Sequence, residues 1–136
     1  MKRVRFAIGT KDGKEIFQGH LGDSKIFLIY DIEDDGNIEL IEERKNISPK
    51  EDAHGSDNKM TIILSILKDC NILISKRLSP NFKKISLTKP LQPIMVKRNT
   101  IEEAITVLKN HLQELFEMVG KRIAGERSEH IPKWET

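Results

Sequence analysis

Apolar positions recur first with a period of two and later with a period near 3.6, so the chain predicts strands followed by alternating helices and strands. Val4, Phe6 and Ile8 alternate with Arg3, Arg5 and Ala7, the pattern of a half-buried strand. Ile26 to Ile32 is nearly continuous apolar sequence rich in β-branched and aromatic residues, as a central strand covered on both faces requires. Asp34-Asp35-Gly36-Asn37 predicts a hairpin, because glycine tolerates the positive φ of a tight turn. A third strand, more polar, follows from Ile38 to about Arg44.

Beyond residue 55 the period lengthens. Met60, Ile63, Leu64 and Leu67 line one helical face, with Ser56 as N-cap and Asp57 in the first turn. Asn71 to Ser75 predicts a short buried strand, and Pro80 to Leu87 is compatible with a helical turn or a loop. Gln92 to Val96 predicts another strand, whose pairing Pro90 and Pro93 restrict. Thr100-Ile101-Glu102-Glu103 has the form of a capping box, and Ile101, Ala104, Ile105, Leu108, Leu112, Leu115 and Val119 continue it as one long amphipathic helix. That helix is expected to fray near Gly120 or Gly125, with a polar tail from Glu126 to Thr136. The expected organisation is one domain over residues 1–120 and, over 121–136, a helix extension and tail. Three hairpin-linked strands followed by crossovers imply a mixed five-stranded α/β sheet with helices on its faces, in the order of a ribonuclease H-like domain.

Composition narrows the function classes. A chain of 136 residues with 38% apolar content suits one core. Charged residues reach 32% but leave a net charge of only +2, and rings are few, which argues against nucleic acid and anionic lipid as partners. No stretch approaches the ~20 apolar residues of a membrane span, and the start of the chain lacks the pattern of a secretory signal. A single cysteine, Cys70, excludes an internal disulfide and a four-cysteine cluster within one chain, and fits a reducing cytoplasm.

Two histidines lie in glycine-containing loops. His20 is in Gly19-His20-Leu21-Gly22-Asp23-Ser24, and His54 is in Asp52-Ala53-His54-Gly55-Ser56, just before the first long helix. Glycine lets backbone approach a ligand closely, neutral imidazole is a common metal ligand, and the helix start beyond His54 offers amides to an anion. No H-x-x-H, C-x-x-C or H-E-x-x-H accompanies them. Cys70 suits a small buried hydrophobe, and His111 and His130 suit the surface. A metal-dependent nuclease is disfavoured, because Val4-Arg5-Phe6-Ala7-Ile8 places no carboxylate on the first strand and Asp31 stands alone on the second.

The run His20 to Tyr30 resembles the His-x-Gly-x-(Ala/Ser) loop and Phe-x-x-Tyr strand of the dinitrogenase iron-molybdenum cofactor-binding family. Arg44-Lys45-Asn46, His54-Gly55, Leu67 to Ile74, Gln92-Pro93-Ile94 and Thr100 to Ile105 extend the likeness over about residues 3–115. The resemblance implies a ribonuclease H-like fold and a non-enzymatic binder or carrier of an iron-molybdenum cofactor or related iron-sulfur cluster. It also implies a protein that donates or accepts the cluster. His20, Gly22, His54, Gly55 and Arg77 would form the binding site, with His20, His54 and Cys70 as metal ligands. The chain departs from the family where a glycine-rich, arginine-containing loop is expected: Ser75 to Asn81 keeps Arg77 but has no glycine. The alternative expectation is an interaction or regulatory module that has lost the ligand, with Leu112, Leu115, Phe116 and Val119 packing on a partner chain as a homodimer.

Overall fold

In a computed structural model of the chain, which describes residues 2–49 and 57–136, one mixed sheet carries helices on both faces. Its strands are β1 (Arg3–Thr10), β2 (Ile26–Glu33), β3 (Ile38–Lys45), β4 (Ile72–Ser75), β5 (Gln92–Val96) and β6 (Lys133–Trp134), in the order β3-β2-β1-β4-β5-β6. β1, β2 and β3 pair antiparallel, whereas β4, β5 and β6 run parallel to β1. The expected count of five strands is therefore corrected to six among the described residues. The sixth comes from the polar tail, where Met95 and Lys97 amides donate to the Pro132 and Trp134 carbonyls at 2.9 and 2.8 Å.

Strand periodicity sorts the core into two layers. Phe6, Ile8, Ile72, Ile74 and Ile94 point to one face, under α3 (Ile101–Asn110) and α4 (Leu112–Ile123). Ala7, Phe27, Ile29 and Leu73 point to the other, under α1 (Asp57–Ile66) and α2 (Pro80–Thr88). β1 was expected to be half-buried but lies in the middle of the sheet, with Ala7 as fully buried as Phe6. The segment from Pro80, open between turn and loop in the sequence, is a helix. Ser79 caps it through Oγ, which accepts from the Phe82 amide at 3.1 Å, and Pro80 occupies a first-turn position where its missing N–H leaves no gap.

The capping box at Thr100 forms as the sequence predicts: Thr100 Oγ1 accepts from the Glu103 amide at 3.1 Å, and Glu103 Oε1 accepts from the Thr100 amide at 3.2 Å. The long last helix is broken at His111 (φ −118°, ψ 27°) into α3 and α4. His111 is half-buried, not a simple surface residue. Its ring stacks on Trp134 with centroids 4.1 Å apart, and its Nε2 and Nδ1 lie 2.7 Å from the Thr136 carbonyl and 3.1 Å from Glu114 Oε1. Leu115 and Val119 are buried, and Leu112 and Phe116 pack against the same core. The stripe expected to meet a partner chain is thus taken up by this chain's own sheet, leaving Ile123 exposed.

Two arginines hold the helices to the sheet. Arg5 on β1 clasps Asp31 of β2 with two bonds, 2.8 and 3.1 Å, and reaches Asp69 beyond α1 at 2.7 Å. Asp31, isolated in the sequence, is therefore a buried ion-pair partner. Arg122 of α4 is 3% exposed and faces neutral oxygens: the Ser86 and Lys89 carbonyls at the end of α2, Ser86 Oγ and Gln92 Oε1, all within 2.8–2.9 Å.

Candidate functional site

A cavity of about 290 Å³ opens where β1 and β4 end, beneath the loop that carries His20. The chain leaves β1 toward β2 on one side and returns as β4 on the other, and open α/β sheets bind ligands at such a reversal, outside the carboxyl ends of their strands. Three segments converge on it: residues 20–23, the start of α1 at Lys59 and Met60, and the β4–α2 connection from Ser79 to Phe82.

The His20 loop is held by features the sequence encodes locally. A Cβ at Gly9 would fall 1.9 Å from Ser24 Oγ, so the loop lies directly on β1 only because that position has no side chain. A single 3₁₀ turn, Leu21–Asp23, follows His20, and Leu21 points into the core. Asn46, just beyond β3, fastens the turn from the other side. Its Nδ2 donates to the Gly22 and Ser24 carbonyls, both at 2.8 Å, while its Oδ1 accepts from Ser48 N and Oγ at 3.0 and 2.6 Å. All of the amide's main hydrogen-bonding capacity is thereby used to fix the loop.

His20 lines the cavity, and its Nδ1 is buried with no partner among the described residues, as is Ser24 Oγ. Beside it Lys59, 5% exposed, pairs with Asp23 at 2.6 Å, so one ammonium is held in the wall with its charge balanced. Ser79 and Asn81 add polar groups, and most of the remaining lining is apolar: Leu21, Met60, Ile63, Leu73, Phe82 and Ile85.

The other expected site residues are placed as follows. Gly22 is at the cavity, but a Cβ there would meet Ile63 Cδ1 at 2.8 Å and one at Gly19 would meet the Phe17 ring at 2.8 Å. These glycines make room for the protein's own side chains. His54 and Gly55, with the proposed cap Ser56, lie outside the described residues. Arg77 belongs to the β4–α2 connection but is exposed and lines no part of the cavity. Cys70 is buried beyond the far end of α1, a helix whose ten residues span about 15 Å, so it is not brought together with His20. Burial, aided by the Asp69 carboxylate, pushes its thiol up to about 12, so it stays protonated at neutral pH. Among the described residues no three His, Cys, Asp or Glu side chains gather as a metal site.

Lys59, Asp23, Asn81 and Phe82 are site residues that the sequence reasoning did not single out. Asp23, inside the His20 to Tyr30 match, and the loop anchor Asn46, in the Arg44-Lys45-Asn46 match, are the ones that carried a signal. For a cluster bound as cargo, the donor set among the described residues is one imidazole with an unpartnered nitrogen, in a largely apolar wall.

The architecture is that of an α/β domain whose mixed sheet carries a loop-covered cavity at one end of its strands. The sequence pattern of the dinitrogenase iron-molybdenum cofactor family matches residues 2–111, and the chain belongs to that family. No curated protein matches it. Among the described residues no helix is long and apolar enough to cross a membrane.

Proposed function

We propose that the chain is a non-catalytic cytoplasmic binding or carrier protein for an iron-molybdenum-type or related iron-sulfur cluster, exchanged with a donor or acceptor protein. The observation that carries the reading is His20: an imidazole with a buried nitrogen that no described residue partners, in the wall of the cavity at the β1–β4 switch point. A buried polar atom left unpaired costs roughly 1–3 kcal/mol, which a ligand or a small ring movement on binding would recover. The apolar lining would shield a cluster from water, and the positive end of α2 would favour its negative charge. In this reading His54, outside the described residues, is the second donor. The order β3-β2-β1-β4-β5, antiparallel and then parallel, supports a ribonuclease H-like fold.

A second reading, an interaction module without the ligand, is favoured by the start of α2. Ser79 takes up the Phe82 and Lys83 amides itself, where a glycine-rich loop would leave amides for an anion. Anaerobic incubation with a synthetic [4Fe–4S] thiolate cluster and with isolated iron-molybdenum cofactor, followed by desalting and visible absorption, separates the two. The carrier reading expects retained colour that His20→Ala abolishes and Cys70→Ser leaves intact. Colourless protein, or equal retention by His20→Ala, would favour the second reading.

A further inference from the structure

The cavity has a furnishing that a charged cluster alone does not call for. Leu21, Ile63, Leu73, Phe82 and Ile85 line it, and each is at most 7% exposed. Side chains withheld from water yet facing open space lack dispersion contacts on that side. Apolar space of this kind takes up apolar molecules more readily than ordered water, which finds few partners there. The polar groups of its lining are His20, the Asp23–Lys59 pair and the first turn of α2 with its cap Ser79. In that turn Pro80 has no N–H, the Phe82 amide donates to Ser79 Oγ at 3.1 Å and the Lys83 amide to the Ser79 carbonyl at 3.3 Å. The Asn81 N–H is the donor that no described residue takes up.

We infer that the cavity holds a small organic carboxylate, its hydrocarbon body against Leu73, Phe82 and Ile85 and its carboxylate at the His20 and Asn81 border. The inference rests on the cavity being the ligand site of the proposed function, not on the ligand being a cluster. Because Asp23 already balances Lys59, the carboxylate is recognised by hydrogen bonds and the α2 dipole, and the hydrocarbon supplies most of the affinity. Bare phosphate is therefore a poor ligand.

Calorimetric titration with butanoate, hexanoate, octanoate and decanoate tests this, with octanol and inorganic phosphate as controls. One molecule per chain should bind, tightening by about fourfold per methylene until the chain outgrows the cavity. Octanol should bind less tightly than octanoate. Met60→Trp, which fills the cavity from a half-buried position, should weaken octanoate at least tenfold, and methyl resonances of Ile63 and Ile85 should shift in the parent protein. The methyl shifts decide the matter if Met60→Trp does not fold. Absence of saturation, affinity independent of chain length, or shifts confined to other residues would overturn the inference. Octanoate binding without cluster retention would remove the carrier reading and leave this one standing; cluster retention without octanoate binding would do the reverse.

Discussion

Asp69 holds two guanidinium groups at once. Arg44 reaches its two oxygens at 2.7 and 2.8 Å, and Arg5 reaches one at 2.7 Å. The Arg44 bonds, followed by those of Arg5, hold its carboxyl far below the usual carboxylate range, and both guanidinium groups are correspondingly raised. A carboxylate with a depressed folded-state pKa contributes stability that is present above its unfolded value, near 4, and is lost as pH falls toward its folded one. Asp69→Asn should therefore destabilise the protein at pH 7 by about 1–2 kcal/mol, the lower part of the range for charge pairs because the side chain is over a third exposed. The difference from the parent should shrink in urea titrations below pH 4; an undiminished difference at pH 2 would show that the network is not its source. Cys70, next in the chain, is expected to resist Ellman's reagent at pH 8 in the folded protein and to react promptly in urea, since its buried thiol holds its proton.

Between elements, Arg122 does for α2 what no residue of α2 does for itself. The last carbonyls of a helix lack internal partners, and Arg122 donates to those of Ser86 and Lys89 from a different helix. Burial, with the nearby charge of Arg127, lowers its pKa, yet it remains a cation at any ordinary pH. Arg122→Met should cost about 2–4 kcal/mol in urea unfolding, because it leaves buried acceptors unpaired. Amide exchange should quicken around Lys89–Leu91, with ligand retention unchanged at the opposite end of α2. The elements that were legible in the sequence are those with local causes. Thr100 and Glu103 lie three apart and satisfy each other, and Gly36 turns the β2–β3 hairpin at φ 94°. β6 was not legible, because Lys133 and Trp134 are strand only by pairing with β5, some 38 residues away. The break at His111 has the same character: no proline or glycine marks it, and two of the ring's three partners, Trp134 and Thr136, are in the tail.

For the whole molecule, the sheet divides the work. Its carboxyl edge forms the cavity, while the opposite edge carries the arginine networks that bind helices to strands. Of the candidate site, His20 was legible because glycines and a polar turn set it apart. The wall around it was not, since Leu73, Phe82 and Ile85 read as ordinary core until the helices are placed. Spacing along the chain likewise does not reveal that α1 separates Cys70 from His20. Removing residues 133–136 should strip β5 of its neighbour and expose a strand edge, lowering the melting temperature and promoting concentration-dependent association in size-exclusion runs. Cluster and octanoate binding should survive the deletion. Unaltered melting would mean that β6 contributes little to the sheet.

The stacking of His111 on Trp134 also has an optical consequence. Trp134 is the chain's sole indole, so ultraviolet emission from this protein reports the docking of its C-terminal strap and little else. An emission change on adding ligand would mean that the event has travelled across the sheet, whereas a silent spectrum would be the ordinary result of filling a hollow on the far face.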